Sequence, residues 1–263
     1  MTARPLRLIL VDAGNTTCSV AVTEGPRVKR AGLLLTAELT ASAALKFAKQ
    51  AAGSRGFDGA VLCSVAPSVN PAWMKALAAV SRTPPLLVTS RLDFGISIRY
   101  PRPETVGADR LINAAAAFAR FGGPVVALDF GTALTCDIVS SEGAFVGGII
   151  APGMRLMLDY LHERTALLPE VPFAPARRMV GRSTAEAMRI GAWAGYRGLV
   201  RELMAGLKAE LGRGVRFCAT GGDAARLKTI LGPACPILPD LTFEGMRLVF
   251  SRNLPRGGEK TRG

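Results

Sequence analysis

The sequence predicts an α/β protein built from two similar halves, and three observations carry that prediction. The segment LILVDAGNTTCSVAV at 8–22 is echoed by VVALDFGTALTCDIV at 125–139. Each is an apolar strand, an Asp-x-Gly turn with hydroxyl or amide residues, and a second strand carrying a cysteine. Strand-like apolar runs alternate with helical patterns between and beyond these hairpins, as layered α/β architecture requires. Finally, 263 residues accommodate one large domain or two of middling size, at about 100–200 residues each. One Asp-x-Gly turn is a common event; two with matched flanks, about half a chain apart, favour a duplicated unit divided near residues 120–124.

In chain order, residues 8–22 form the first β-hairpin. Residues 40–52 (TASAALKFAKQAA) read as an Ala-rich helix closed by Gly53, and residues 59–65 (GAVLCSV) as a buried strand. Asn70 caps a helix with Pro71 at its first position, running to about Val80. A short strand at 86–88 precedes a helix at 111–120 (LINAAAAFAR) that stops at Gly122-Gly123. After the second hairpin, Gly147-Gly148 to Pro152-Gly153 reads as a rigid loop. Ser183-x-x-Glu186 is a capping box opening a helix to about Leu211. Gly191, Gly195 and Gly198 lie along one side of that helix, leaving room for another backbone. Residues 216–219 form a strand leading into Thr220-Gly221-Gly222 and a further helix. The expected division is residues 1–120, 121–253, and a polar, Gly-rich flexible tail at 254–263.

Composition narrows the class. Apolar residues make up 49% of the chain, which excludes a disordered or collagen-like protein. The formal net charge is +13, with 15 basic against 7 acidic groups in residues 1–120 and 18 against 13 in the remainder. Such a surplus favours anionic partners, but its even spread offers no basic arm to track a phosphate backbone, so nucleic acid is not the expected partner. The five cysteines form no CxxC pair and His162 is the single histidine, which leaves no zinc ligand set and points to reduced, mostly buried thiols. The apolar stretch Leu8–Val11 ends at Asp12, too short for a signal-peptide core, and no run reaches the ~18 residues of a spanning helix. A soluble, cytoplasmic protein is expected, with no membrane partner. Trp73 and Trp193 sit on helical segments as core or interface residues, and His162 reads as structural.

Several residues can carry chemistry. A glycine turn after a buried strand exposes backbone N–H groups, and Asn15, Thr16, Thr17 and Ser19 add donors, an arrangement suited to phosphate. Asp12 at the strand end can hold hydrated Mg²⁺, which prefers one or two carboxylates plus phosphate oxygens. No Walker-type GxxxxGK[ST] occurs. Gly107-Ala108-Asp109-Arg110 directly precedes the helix at Leu111, where the positive end of the dipole keeps Asp109 ionised. There it can accept a proton from a hydroxyl attacking phosphorus. Arg110 offers a planar fork to a carboxylate or phosphate. In isolation the same four residues read equally well as a helix cap with a surface arginine. Asp129, Gly131, Thr132, Thr135 and Asp137 gather oxygen ligands at the second turn, for distal phosphates or a hard cation. Thr220-Gly221-Gly222 stands where α/β folds often seat a nucleotide. Ser183 and Thr184 are most simply helix caps.

Taken in order, DAGNT at 12–16, CSVAPSV at 63–69, GADR at 107–110, DFGTALTCD at 129–137, GGIIAPG at 147–153, TALLP at 165–169, ST at 183–184 and TGG at 220–222 closely resemble the type III pantothenate kinases. The likeness runs from residue 8 to about 250. It implies duplicated actin-like (ribonuclease H-like) domains with an interdomain ATP cleft, of the acetate and sugar kinase, heat-shock ATPase and actin superfamily. It further implies ATP-dependent phosphorylation of pantothenate, the first committed step of coenzyme A synthesis, by a homodimer requiring Mg²⁺ and a monovalent cation, K⁺ or NH₄⁺. By the same resemblance Asp12, Ala13, Gly14, Asn15, Thr16, Thr17, Cys18 and Ser19 form the first phosphate loop and Thr132 binds ATP. Asp109 is the proton acceptor; Tyr100, Gly107, Ala108, Arg110 and Thr184 contact pantothenate; Asp129 holds the monovalent cation. The loop reads NTTC where the family commonly has NTN or NS, so Thr17 departs from the pattern. The competing expectation is a non-catalytic, transcription-accessory or nucleic-acid-binding relative, since members of this family have been described as regulatory factors.

Overall fold

The computed structural model describes residues 4–254. The chain divides into two compact units, one formed by the chain up to Ala119 together with the helix that follows Asp240, the other by Arg120–Pro239.

In the first unit, β1 (Arg7–Ala13), β2 (Thr17–Glu24) and β3 (Arg27–Leu35) form an antiparallel meander, followed by α1 (Ala41–Ala52), β4 (Gly59–Ser64), α2 (Asn70–Ala78), β5 (Leu86–Leu87), β6 (Ser97–Ile98) and α3 (Ala108–Phe121). The sheet order is β3-β2-β1-β4-β5, with β4 parallel to both β1 and β5. Leu8, Ile9, Leu10 and Val11 are all buried, so β1 reads as an unbroken apolar run because both its faces are covered. On one face α1 presents Ala44, Ala48 and Ala52, an i, i+4 stripe of small side chains that lets the helix sit close to the sheet. Thr40 caps α1, its Oγ1 accepting the Ala43 N–H at 3.1 Å, and Gly53 ends it at φ +57°. Trp73 is fully buried in the same cluster.

In the second unit, β7 (Val125–Phe130), β8 (Ala133–Val139) and β9 (Ala144–Pro152) repeat the antiparallel meander, and α4 (Met154–Glu163), α5 (Thr184–Leu211), β10 (Arg216–Thr220) and the short α6 (Lys228–Leu231) follow. The strand order β9-β8-β7-β10, with β10 parallel to β7, repeats β3-β2-β1-β4 of the first unit. Asp12 and Asp129 hold equivalent places, each the penultimate residue of its strand. The internal repeat is therefore a repeat of topology. Trp193, Tyr196, Val200 and Leu207 of α5 recur at helical spacing and pack into the core around β7 and β10.

Several expectations need correction. The helix α7 (Leu241–Arg252), assigned by sequence to the second half, belongs to the first unit. The Phe250 ring occupies the place a Cβ on Gly59 would take, and Gly245 brings α7 to within 2.5 Å, measured from its own missing Cβ, of the Ile112 carbonyl. Burying a phenylalanine this way contributes about 1.5–3 kcal/mol. Asn70 does not cap α2: a 3-10 turn over Pro67–Val69 leads into the helix, and the Asn70 side-chain oxygen is buried without a hydrogen-bond partner. Residues 147–152 are strand β9, with Gly147 at φ +124° beside the register shift in β8. The helix at 111–120 starts earlier, at Ala108, which draws Asp109 into its first turn. Among the described residues, nothing outside the helix's own backbone lies within 4 Å of where a Cβ on Gly191 or Gly198 would be, and at Gly195 Met157 does, at 3.6 Å. The expected tail lies, Leu254 excepted, outside the described residues.

Other expectations agree with the fold. All five cysteines are buried free thiols, and burial pushes those of Cys218 and Cys235 up to about 12. His162 bridges through Nδ1 to the Leu168 carbonyl at 2.9 Å. Ser183 Oγ accepts the Glu186 N–H at 3.2 Å, while Glu186 reaches back to the Arg182 N–H at 2.8 Å, a capping box displaced by one residue. Among the described residues no helix is long and apolar enough to cross a membrane.

Candidate active site

Two constellations form, one in each unit, both at the C-terminal ends of parallel strands. In the first unit the β1–β2 hairpin turns through residues 14–16, where the Gly14 N–H donates to the Thr17 carbonyl at 2.9 Å. Thr36, just beyond β3, locks this turn from outside: its Oγ1 donates to the Gly14 carbonyl at 2.8 Å and its N–H to the Thr16 carbonyl at 3.0 Å. Asn15 and Thr16 stay exposed, whereas Ala13 and Cys18 are buried beneath them. Sequence reasoning missed Thr36, which lies outside every motif. At Thr17, where the loop departs from the family pattern, it is the backbone carbonyl that closes the turn.

Beside this turn stands the segment after β4. Asp12 pairs with Cys63 and Ala13 with Ser64 across the parallel ladder, and the Val65 N–H donates to the Ala13 carbonyl at 3.0 Å. Val65 in turn lies 3.5 Å from where a Cβ on Gly107 would be. The Asp12 turn, CSVAPSV and GADR are thus one contiguous surface of the first unit.

Asp109 occupies the first turn of α3 and folds back over Gly107, whose absent side chain leaves it the space: a Cβ there would meet Oδ1 at 2.5 Å. The same oxygen accepts the Arg110 N–H at 2.8 Å. Burial pushes the Asp109 carboxyl above the ordinary carboxylate value, and the Arg110 N–H and guanidinium pull the other way. The dipole of α3 therefore does not dominate as the sequence suggested; desolvation does. A carboxylate with a raised pKa is the better proton acceptor near neutral pH. Ala108 is buried, Arg110 half-buried, and Tyr100 stands exposed after β6.

In the second unit, Gly131 and Thr132 join β7 to β8 and both are exposed. Two glycines wall this turn. A Cβ on Gly153 would run into the Gly131 and Thr132 carbonyls, and one on Gly221, which lies at φ +91°, would overlap Asp129 Oδ1 and the Phe130 carbonyl. The Gly153 N–H donates to the Thr132 carbonyl at 3.1 Å, and the Asp223 N–H to the Phe130 carbonyl at 3.1 Å. GGIIAPG and TGG thus converge on Asp129-x-Gly-Thr. Asp137, by contrast, points into the protein, fully buried and accepting from Thr135 Oγ1 at 3.0 Å, so these two residues support the turn. Sequence reasoning missed Asp223; its place directly after a strand-ending Thr-Gly-Gly was the available signal. Thr184 is exposed on the first turn of α5.

Among the described residues no group of three or more His, Cys, Asp or Glu is placed to cage a metal ion. Asp12 and Asp129, each half-buried at a strand end beside a turn rich in N–H and hydroxyl donors, fit ions completed by phosphate oxygens and water.

Comparison with known proteins bears on this arrangement. A search by family matches residues 8–206 to the type III pantothenate kinases. A type III pantothenate kinase of Acidiphilium cryptum is 38% identical over 253 residues, covering 93% of this chain and 94% of that protein. One from Akkermansia muciniphila is 44% identical over 198 residues, covering 75% of this chain and 80% of its own. Among solved structures, a Campylobacter jejuni protein described as of a Baf family of transcriptional activators superposes with a TM-score of 0.55 at 18% identity, over 93% of this chain and 98% of that one. The ethanolamine utilization protein EutJ of Carboxydothermus hydrogenoformans superposes with a TM-score of 0.51 at 14% identity, over 95% and 92%. These two likenesses carry the fold alone, and the regulatory description does not transfer at such identity. The family match and the sequence identities decide the rest: this chain belongs to the type III pantothenate kinase family.

Proposed function

We propose that this protein transfers the γ-phosphoryl group of ATP to the 4′ hydroxyl of pantothenate, opening coenzyme A synthesis, with Asp109 as the proton acceptor. The observation that carries the reading is the Asp109 carboxylate, desolvated and folded over Gly107 next to the Asp12 turn. Phosphoryl transfer needs positioning and charge stabilisation more than covalent chemistry. Within the loop from Asp12 to Ser19 the exposed Asn15 and Thr16, with the hydroxyls of Thr17 and Ser19, bind phosphate oxygens, and Thr132 adds a hydroxyl. Tyr100, Gly107, Ala108, Arg110 and Thr184 hold pantothenate, with the Arg110 fork suited to its carboxylate. Asp109 takes the proton as the hydroxyl attacks phosphorus.

Asp12 would hold Mg²⁺, which supplies neutralisation of the phosphate charge when bound. Asp129 would hold the monovalent cation, K⁺ or NH₄⁺. With ATP, Mg²⁺ and pantothenate the protein is expected to form 4′-phosphopantothenate in the presence of K⁺ or NH₄⁺; no product with either ion would overturn the assignment. Asp129→Ala should abolish the response to K⁺, and equal rates with and without K⁺ in the unaltered protein would refute the role of Asp129.

The chain is also proposed to act as a homodimer. An apolar groove of about 500 Å³ runs between α4 and α5, lined by residues that include Leu156, Met157, Tyr160, Met188 and Gly191. Tyr160 is 61% exposed, and Ile150 and Leu156 are exposed nearby. A second copy is the fitting occupant, since a two-fold contact applies the same small-residue helix face and aromatic ridge to each other. Light scattering should give twice the chain mass, and Tyr160→Glu should shift it towards the monomer. A monomeric unaltered protein would remove the proposal.

A further inference from the structure

The chemistry above uses the C-terminal ends of β1 and β4, yet the first unit carries another concave site at the opposite end of the same sheet. A cavity of about 520 Å³ opens where the end of α1 meets β2 and β3, lined by residues that include Arg7, Glu24, Arg27, Lys29 and Arg55. Its size is that of a small-molecule site. Arg7 opens β1 and Asp12 stands near its end, about 16 Å away at ~3.3 Å per residue, so this is not the phosphate turn.

The base of the cavity is a fixed positive charge. Arg7 is 9% exposed; its Nη1 donates to the Ala52 carbonyl at 2.9 Å and to that of Gly56, and its Nη2 to the Ala51 carbonyl at 3.2 Å. The guanidinium lies 4.4 Å from the centre of the Phe57 ring. These partners are neutral and leave the charge standing. The nearby acids are shared: Glu24, 3.8 Å from Arg7, is engaged by Arg55 at 2.7 Å, while Asp58 accepts the Arg7 backbone N–H and pairs with Arg82 at 2.8 Å. Burial, and after it the charge of Arg55, draw the Arg7 pKa below the usual guanidinium value, while Glu24 and Asp58 pull the other way. Arg27 and Lys29 rise exposed from β3 with no acidic partner among the described residues. Arg30, also at the rim, is taken up by Asp240 at 2.9 Å.

We propose that this cavity binds a small molecule bearing two or more phosphate charges, held by Arg7, Arg27, Lys29 and Arg55, with its organic part against Val22 and Ala51. Of the five cations in the lining, Arg30 is taken up by Asp240 and the other four face the Glu24 carboxylate, so a singly charged anion leaves the site unbalanced whereas a diphosphate balances it. Guanidinium forks match phosphate oxygens geometrically. A concave pocket at one end of a sheet, with no continuous basic stripe leading from it, fits a small ligand and not a nucleic acid.

The test is isothermal titration of the full chain, presaturated with a non-hydrolysable ATP analogue, with inorganic pyrophosphate at ionic strength held constant with NaCl. One pyrophosphate per chain is expected, with affinity at least tenfold weaker in the Arg27→Glu/Lys29→Glu double variant while its turnover of pantothenate is unchanged. Arg55→Gln, on a different element, should weaken binding as well. Absence of binding in the unaltered chain, or equal affinity in the double variant or in Arg55→Gln, would overturn the proposal. So would a single-stranded oligonucleotide that binds more tightly than pyrophosphate and is lost in the same variants. The kinase assay stands apart from this titration, so each reading can fail alone.

Discussion

Replacing Asp109 by asparagine is expected to lower turnover by roughly 10²–10⁴-fold, the usual contribution of a positioned proton acceptor, while ATP binding stays close to normal. The expectation rests on how the side chain is held. Asparagine keeps the shape and can still accept the Arg110 N–H through Oδ1, so the first turn of α3 and the space over Gly107 are preserved and only the proton-accepting capacity goes. Because burial raises the Asp109 pKa, the ionised base disappears at a higher pH than for an ordinary aspartate. The kcat/KM for pantothenate should therefore fall on the acid side with a midpoint above the usual carboxylate value, and the variant's residual rate should lack that limb. Stability should move the opposite way. With the folded pKa above the unfolded one, the folded state binds the proton more tightly, so a cost appears as pH rises through the interval between them and stays at neutral pH. The variant should melt at a higher temperature than the unaltered protein at pH 7, and the gap should close on acidification. Near-normal turnover in Asp109→Asn would place the base elsewhere.

The parts of the fold that the sequence made legible are those whose signals are local. A buried strand of consecutive aliphatic residues ending in Asp-x-Gly announces its own turn, and both hairpins carry that signal, as does the Ser183–Glu186 cap. What escaped depends on partners distant in sequence. The helix α7 contains a glycine and a mixed pattern, and its place is set by Gly59, roughly 190 residues earlier, which only the packed Phe250 ring explains. The segment from Gly147 looks like a loop because paired glycines usually make one; here β8 supplies the hydrogen bonds that hold it as a strand. The role of Thr36 is similarly tertiary. The four cations at the far end of β1 come from positions 7, 27, 29 and 55 and read in the sequence as dispersed surplus charge, and only the sheet and α1 gather them. The motifs were legible because each is short, yet which motif supports which turn was not: that Gly153 and Gly221 both wall the Asp129 turn follows from three-dimensional neighbourhood alone.

Two adjacent glycines beside the Asp129 turn should respond very differently to substitution, one strongly and one hardly at all. Gly221 lies at φ +91°, and a Cβ there would overlap Asp129 Oδ1 and the Phe130 carbonyl; Gly222 has nothing within 4 Å of its own Cβ position. Alanine at 221 must therefore adopt a backbone conformation that side chains rarely accept and push against two oxygens held by the end of β7. Strain of this kind costs about 1–3 kcal/mol at a single residue, and the relief available is movement of Asp129 or of the turn to Thr132. Gly221→Ala is expected to destabilise the chain by that amount in denaturant unfolding and to reduce kcat/KM by at least tenfold, with K⁺ or NH₄⁺ dependence weakened because Asp129 is displaced. Gly222→Ala should change stability by less than about 0.5 kcal/mol, as surface substitutions away from special features do. If the two variants behave alike, the close approach of the β10 end to the Asp129 turn is not what shapes this half of the site. A clean separation, with the Gly221 variant losing activity beyond what its stability loss explains, would tie the carboxylate's position to turnover.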